Sequence, residues 1–471
     1  MWCTVPGRSG DCRPGAVRAD LPPPVWLTHN DWRTEVKRRV LLLVTVAVLR
    51  VFTVSAQQAA PPADSLELAT LHQQAVARDP RQRQFTLLAR QTDLRLRNLS
   101  AERLPSFSAE GLAQYQSDVF EAEGLPAGIS FPSPSHDTYD TRLAVEQPVY
   151  DPTISPRKSV ERARLAESEA RVHSALFGLR DEVNQAYFTA ALLAERDGII
   201  EATIQELVKR LDESRVRVRE GAALPSDTAT IQATLLERRQ DQSEIRSDRR
   251  AALIRLSELT RRAIPESQRL VLPDLEDETD QARRDLASLR GRPEYTEFAR
   301  TRERLVSEEG VASSEQKPRV AAFGRLGYGR PGINPVNDAF DSYYTLGLEV
   351  KWSPFNWGST GREREALELQ REIIAAEEEA FTNRLTRATQ GDLATMDRLD
   401  STLALDDQIV ALRERVERET GLRFREGDVT ASEYLDRNTD VLEARLARAT
   451  HRVEQVQARA RFLTTLGLEI R

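Results

Sequence analysis

Apolar and polar residues follow two patterns along this chain. Strand-like alternation is followed by a long helix-like run at two places. From Tyr343 to Trp352, apolar side chains occupy every second position, which predicts a strand. A break follows at 353–358, and then about 65 residues run with almost no helix breaker to Gly427. At a rise of 1.5 Å per residue, this predicts a helix about 100 Å long, far longer than a compact domain needs.

The same plan occurs earlier in the chain. Alternation over Thr138–Gln147 predicts a strand, a break follows at Pro148, and a second long helix runs to Gly221. Pro148 and Pro354 are 206 residues apart, and so are Gly221 and Gly427. Equal offsets at two landmarks indicate an internal duplication without net insertion. Each copy is a strand that feeds a very long helix, which reverses at a glycine turn.

Shorter elements complete each copy. The remaining predicted elements, in chain order, are a helix from Ser65 to about Arg103 broken near Asp79-Pro80, strand Ser106–Gln116, a loop at 117–137, helices at about 155–220 and 227–262, a Pro- and acid-rich linker at 263–281, a helix at about 282–314, strand Arg319–Tyr328, a loop at 329–340 and a last helix at about 430–465. Prolines mark the predicted junctions between strands and helices, at Pro105, Pro148, Pro318 and Pro354. The last helix repeats apolar residues in alternating steps of four and three, which is typical of a coiled coil.

Composition fits this plan. Charged residues make up 30% of the chain and aromatic residues only 6%, which suits long helices with narrow apolar seams better than a thick globular core. The net charge is −7, and no basic stripe is interleaved with aromatic residues, so nothing indicates a nucleic-acid partner.

Candidate chemistry is sparse. His72, His136, His173 and His451 are scattered without metal-ligand spacing, so they are predicted to be surface residues. The glycines of 324–329 superficially resemble a phosphate loop, but they lie in a strand-to-loop segment with no helix after it. No arrangement indicates catalysis, so we expect no enzyme, no cofactor and no metal site.

The first 56 residues are predicted to be removed. Basic residues at 37–39, the apolar run Val40–Val54 and the small residues before Gln57 are typical of a secretory signal, assigned to 36–56. Residues 1–35 lack a basic segment of this kind and are interpreted as a wrongly assigned extension, with Val36 as the true start of the precursor. The two cysteines, Cys3 and Cys12, lie in that extension, so the mature chain is expected to have no disulfide and no lipid-acceptor thiol.

Each predicted strand is about ten residues long, the length of a tilted transmembrane strand. In lipid a sheet must close, because an open edge leaves unpaired amides in hydrocarbon. Four strands cannot close, since the smallest bacterial barrels use about eight. If the strands lie in a membrane, several protomers must therefore share one barrel. Alternation alone leaves a second reading open, in which two hairpins cap a periplasmic coiled-coil scaffold.

The sequence resembles the TolC-type outer-membrane efflux family over about 65–468. The features that carry the resemblance are Leu104-Pro105 before the first strand, Glu146–Asp151 after the second, Trp352–Gly358 after the fourth, and the glycine tips at Gly221 and Gly427. Each motif is weak alone, whereas their order, duplication and spacing together are specific.

The resemblance implies an α+β membrane protein that works as a homotrimer. Each protomer would give four transmembrane strands to a shared twelve-stranded β-barrel in outer-membrane lipid, and its helices would give a third of a long, hollow, coiled-coil α-helical barrel in the periplasm. The first repeat would span 57–262, the linker or equatorial segment 263–281 and the second repeat 282–471. The protein would be the passive exit duct of a tripartite efflux or type I secretion system, with a periplasmic membrane-fusion adaptor and an inner-membrane RND or ABC-type pump. Drugs, metals and secreted proteins all remain open as cargo.

The resemblance also places a gate. The positions that match the family's ring of acidic residues at the periplasmic mouth are Asp227, Glu433 and Asp436, and three copies would make each a ring of carboxylates. A second interpretation is that these acids are ordinary residues at helix starts, where the helix dipole stabilises negative charge. Asp227 can also be interpreted as an N-cap. The tips expected to contact the adaptor comprise Gly221, Ala222, Leu224, Gly427 and Val429.

The chain departs from the family pattern beside this gate. Where some relatives carry a tyrosine and an arginine that lock the mouth, this chain has Phe424 and Val429. Neither side chain can make a polar lock. Packing, or pairs involving Arg423 or Arg425, is expected to close the mouth instead.

Overall fold

The computed structural model describes residues 65–119, 135–284, 291–334 and 338–470. The predicted signal segment, the extension before it and most of the loop at 117–137 lie outside these residues. The elements, in chain order, are β1 (Ser65–Leu66), α1 (Leu68–Arg78), α2 (Gln82–Ala101), β2 (Ser106–Tyr115), β3 (Asp137–Tyr150), α3 (Ile154–Arg219), α4 (Pro225–Thr260), β4 (Arg269–Leu270), α5 (Glu276–Arg284), α6 (Pro293–Ser314), β5 (Arg319–Arg330), β6 (Asp341–Lys351), α7 (Ser359–Glu426) and α8 (Ala431–Leu466).

Four strands form one antiparallel sheet in the order β2-β3-β5-β6. The pairing register brings Phe107, Val145 and Gly324 together on one face, and Glu110, Arg142 and Gly327 on the other. The first face is apolar. The second carries the ion pair between Arg142 and Glu110, at 2.5 Å. Alternation along the strands therefore gives the sheet one apolar face and one polar face.

Two long helical hairpins extend from the sheet. The first hairpin is α3 with α4, and the second hairpin is α7 with α8. Helix α4 begins at Pro225 and α8 at Ala431, and they end at Thr260 and Leu466, so both ends keep the 206-residue offset. Each return helix also ends on a residue with positive φ, 50° at Arg261 and 85° at Gly467. The duplication thus holds through both hairpins at the level of single residues.

The largest core cluster lies where α1, α3, α4 and α8 meet. Its centre is Tyr187, which is fully buried and donates its hydroxyl to the carbonyls of Leu66 and Val271. Those two carbonyls flank the short parallel pairing of β1 with β4. The segment interpreted from sequence as a linker is therefore tied into this core by β4 and α5.

Two sequence-based boundaries are wrong. Strand β3 does not break at Pro148 but continues to Tyr150, with an irregularity in its register between Pro148 and Tyr150. A bulge accommodates proline because the missing amide has no ladder bond to make there. The predicted helix at 282–314 is also not one helix: α5 already begins at Glu276, and α6 starts at Pro293, where proline suits the first helical turn.

The prediction that all four histidines lie on the surface is wrong for His72. This side chain is buried, and its Nε2 lies 2.8 Å from Oδ1 of Asn184. The amide of Asn184 in turn donates to the Thr464 hydroxyl over 3.1 Å. These hydrogen bonds join α1, α3 and α8. His72 therefore has a structural role, which its position in the sequence did not indicate. Burial is the main reason that the pKa of His72 falls from 6.5 to about 4.

We expect the buried imidazole to make the fold sensitive to acid. Because the folded-state pKa of His72 lies below its unfolded value, the folded state binds fewer protons, and stability is lost as pH falls from about 6.5 towards 4. The loss attributable to His72 is on the order of 3 kcal/mol. In His72→Gln, the free energy of unfolding in denaturant should depend less steeply on pH over this range. The exposed His173→Gln is the control, and an unchanged slope in His72→Gln would contradict the prediction.

Candidate gate at the hairpin tips

The two hairpins reverse through the same turn. Gly221 and Gly427 have φ of 76° and 90°, a region that favours glycine. The amide of Gly221 donates to the carbonyl of Val218 over 3.1 Å, and Gly427 donates to Phe424 over 3.2 Å. The next amide on each tip bonds to the carbonyl one residue earlier, that of Arg217 or Arg423. The turns are therefore equivalent bond by bond at the 206-residue offset.

The three predicted gate acids have different surroundings. The Asp227 carboxylate accepts the amide of Leu224 over 3.3 Å, so it stabilises the start of α4 as expected of a helix-start acid. The N-cap interpretation is wrong, because the N-cap residue is Leu224 and Asp227 lies three positions later. Glu433 and Asp436 lie in the first turns of α8, where Thr430 caps the helix through the amide of Glu433. Both side chains are exposed, and no ion pair or hydrogen bond reaches either carboxylate from the residues described in the protomer.

A buried aromatic contact holds the second tip together. Phe424 stacks on Tyr434 with ring centroids 5.4 Å apart and planes 12° from parallel. Val429 packs against the same cluster. Phe424 thus fills the core of the tip within one protomer, and the expectation that packing closes the mouth stays a prediction. Arg423 and Arg425, the other expected contributors, point into solvent, and no side-chain bond reaches them from the described residues.

A polar network nevertheless crosses between the hairpins. The Tyr434 hydroxyl donates to Oε1 of Glu206 over 3.1 Å and accepts from Nε of Arg210 over 3.2 Å. Arg210 also lies over the tyrosine ring, 5.4 Å from its centroid. Burial raises the pKa of the Tyr434 hydroxyl, so it stays a hydrogen-bond donor. Here α3 meets α8, and this contact is called the intrachain seam.

Glu417 on α7 adds an acid-sensitive group to the intrachain seam. Its pKa is raised, first by burial and then by the nearby negative charge of Glu206. A carboxyl with a raised folded-state pKa stabilises the fold most at low pH, and that contribution is lost as pH rises through the folded-state value. Mild acid should therefore tighten this part of the tip.

Arg217 joins the two tips directly. Its Nη1 donates to the carbonyl of Phe424 over 2.7 Å, and its Nη2 donates to the carbonyl of Ala222 over 3.2 Å. The same guanidinium lies 5.6 Å from the centroid of the Phe424 ring. One side chain thus bonds the turn of its own hairpin and the last turn of α7.

Sequence reasoning missed Glu206, Arg210, Arg217 and Tyr434. Each looks like an ordinary polar residue on a highly charged helix, and only packing brings them together. One signal was available, since the sequence Arg-X-Arg-Glu-Gly ends both long helices, at 217–221 and 423–427. No group of three or more metal-binding side chains occurs among the described residues. None of the helices in the described part of the chain combines the length and the hydropathy of a membrane-spanning helix.

The fold matches that of solved outer-membrane channels. The outer membrane protein VceC of Vibrio cholerae superposes with a TM-score of 0.63 at 15% identity, over 86% of this chain and 97% of that one. The Campylobacter jejuni CmeC outer membrane channel gives 0.61 at 13% identity, over 85% of each chain. The open state of the Neisseria gonorrhoeae MtrE outer membrane channel gives 0.60 at 16%, over 85% of this chain and 89% of that one. No family model and no curated protein matches the sequence. The predicted combination of long helices and a small sheet is confirmed as the fold of these channels.

We predict that Arg217→Ala loosens the second tip. The variant removes a charge-assisted hydrogen bond worth about 1.5–3 kcal/mol, so amides over 421–430 should exchange with deuterium roughly tenfold faster or more. Arg219→Ala is the matched control, because it removes the same charge two residues away from an exposed side chain. Equal exchange in the two variants would show that Arg217 does not hold the tips together.

Proposed function

We propose that the protein is the outer-membrane exit duct of a tripartite efflux or type I secretion system. Substrates would pass through it without energy input, from a periplasmic adaptor and an inner-membrane pump to the cell exterior. Three protomers would share one twelve-stranded barrel, and their hairpins would form the periplasmic tube. The likeness of fold to outer-membrane channels supports this proposal, but the sheet itself carries the argument.

The observation that supports the proposal most is a sheet with one exposed apolar face and two unpaired edges. Phe107 and Leu346, on the apolar face, are 78% and 77% exposed in the protomer. No described strand pairs with the outer edge of β2 or β6. In water these features together would favour aggregation, whereas in lipid an apolar face is stable once the edges are closed. Strand pairing with other copies in lipid would therefore bond the edge amides, and the lipid would cover the apolar face.

The polar face fits the lumen of such a barrel. Tyr343 donates its hydroxyl to Asp140 over 2.6 Å, next to the pair between Glu110 and Arg142. Arg325 lies over the Phe323 ring, 4.7 Å from its centroid. Charges of both signs on one face suit a water-filled passage that admits varied cargo. The pump would choose the cargo, and the adaptor would contact the hairpin tips at Gly221 and Gly427.

Glu433 and Asp436 would line the periplasmic mouth. Both are exposed and unpaired by the described residues of one protomer, so threefold symmetry would turn each into a ring of three carboxylates. Such rings attract cations and repel one another as the mouth narrows. Asp227 is the weaker candidate, because its carboxylate already accepts a backbone amide.

A matched pair of leucines tests the membrane assignment. Leu143 lies on the apolar face and Leu112 on the polar face, and both are exposed in the protomer. Leu143→Arg should destabilise barrel insertion by about 2–4 kcal/mol, as arginine does at the bilayer midplane. Leu112→Arg should be tolerated, since its neighbour across the ladder is Asp140. The readouts are outer-membrane fractionation and trimer mass in mild detergent.

The scaffold alternative predicts the opposite pattern. A soluble periplasmic monomer or dimer, with Leu143→Arg as stable as Leu112→Arg, would overturn the duct and leave the strands as caps on a coiled coil.

The acid rings have their own test. Glu433→Gln with Asp436→Asn should lower the cation selectivity of single channels in planar bilayers several-fold, because the neutral amides keep shape and remove charge. The control Glu426→Gln changes an exposed acid at the tip that is not proposed to face the mouth. Equal loss of selectivity in the control would remove Glu433 and Asp436 from the gate.

A further inference from the structure

The two tips share a sequence but not their contacts. In the first, Arg217 of the repeated Arg-X-Arg-Glu-Gly bonds the carbonyl of Phe424 over 2.7 Å. Its counterpart 206 residues on is Arg423, which is exposed and has no side-chain bond to the described residues. The counterpart of the Phe424 carbonyl is that of Val218, which accepts the Gly221 amide and no described side chain. A donor on the second tip and an acceptor on the first tip thus lack, among the described residues, the contact that their counterparts make.

The helix faces show the same imbalance. On α3, the face that carries Glu206 and Arg210 is covered by Tyr434 of α8. The counterparts of these two residues on α7 are Leu412 and Val416, and they are 56% and 43% exposed. The face continues with further exposed apolar side chains in steps of three or four. We name this set the α7 stripe, and it comprises Leu405, Ile409, Leu412 and Val416.

The intrachain seam also defines the register of the missing contact. Arg196 donates to Thr450 over 3.0 Å, and Arg210 to Tyr434, so α3 and α8 run antiparallel. This register places Thr203 opposite Leu442, and both are buried. Their counterparts are Ile409 on α7 and Leu236 on α4, and both are exposed. Within one chain, Ile409 and Leu236 lie on different hairpins and do not form this contact.

A closed ring of three chains would supply it. Six hairpins alternate around such a ring, so each second hairpin meets the first hairpin of the next copy, repeating between chains the heterologous contact seen within one. We infer that the α7 stripe packs on α4 of the neighbouring copy around Leu236, and that Arg423 donates to the carbonyl of Val218 there. This inference rests on the trimer of the proposed function.

The two seams of the ring then differ in chemistry. The intrachain seam carries the half-buried network of Glu206, Arg210 and Tyr434. The interchain seam instead sets the apolar α7 stripe against Leu236 and its polar neighbours on α4, and it ends in one arginine bond. A satisfied polar network rigidifies a contact, and the interchain seam has no counterpart of it. Loss of the single bond from Arg423 should therefore open the mouth between protomers while each protomer keeps its own hairpins together.

Thiol cross-linking tests the interchain contact. In a full chain with Cys3 and Cys12 replaced by serine, Ile409→Cys with Leu236→Cys should be joined by a short bis-maleimide into dimers and trimers on denaturing gels. The control pair is Ala411→Cys with Leu236→Cys, since Ala411 is exposed about 200° around α7 from Ile409. A native trimer that yields no ladder from the first pair, or equal ladders from both, would overturn the inference and leave the proposed duct intact. A monomer in mild detergent would overturn both.

Conductance tests the bond from Arg423. Arg423→Ala should raise single-channel conductance or open time roughly tenfold, the effect of losing one charge-assisted hydrogen bond. Arg425→Ala removes the same charge from the neighbouring exposed arginine and should leave the channel closed. Equal opening of both variants would assign the effect to charge alone and remove Arg423 from the interchain seam.

Discussion

The outer backbone edges of β2 and β6 impose the constraint on which the rest of this structure depends. Each edge strand presents a row of amides and carbonyls that no described strand of the protomer pairs. A four-stranded sheet cannot curl far enough to pair its own edges. The apolar face adds to the constraint, because it needs lipid or protein to cover it. Lipid around the apolar face and further copies at the two edges, as proposed above, would satisfy both requirements together.

The position of the long hairpins depends on the same sheet. Because α3 and α7 begin directly after β3 and β6, any closure of the sheet also brings the hairpins of different protomers side by side. In the proposed trimer the hairpins would form a tube of helices, with its far end where the chain turns at Gly221 and Gly427. Single residues such as Arg217 and Tyr434 would hold that end together, because each bonds one hairpin to the other.

Most of the architecture could be read from the sequence, for physical reasons that particular residues illustrate. Alternation has a period of two only in strands, so the strands ending near Tyr115 and Lys351 were predictable to within a few residues. Long runs without helix-breaking residues, each ending in a glycine turn, predicted the hairpins. Pro148 misled, since proline usually stops a strand but is accepted at an irregular edge or bulge. His72 misled because burial depends on neighbours from α3 and α8 that are far away in the chain.

The sequence by itself determined the periodic features: the strands, the long helices, their turns and the duplication, because each depends on residues close together in the chain. The tertiary structure alone decided which polar residues meet. Arg217 and Arg423 occupy the same place in the same repeated motif. Of these two side chains, only that of Arg217 has a hydrogen-bond partner among the described residues of the protomer, because the end of α7 lies beside it, whereas no equivalent carbonyl lies beside Arg423. Local sequence fixes the shape of each repeat, but the contact between repeats is set by their relative placement, which no local pattern encodes.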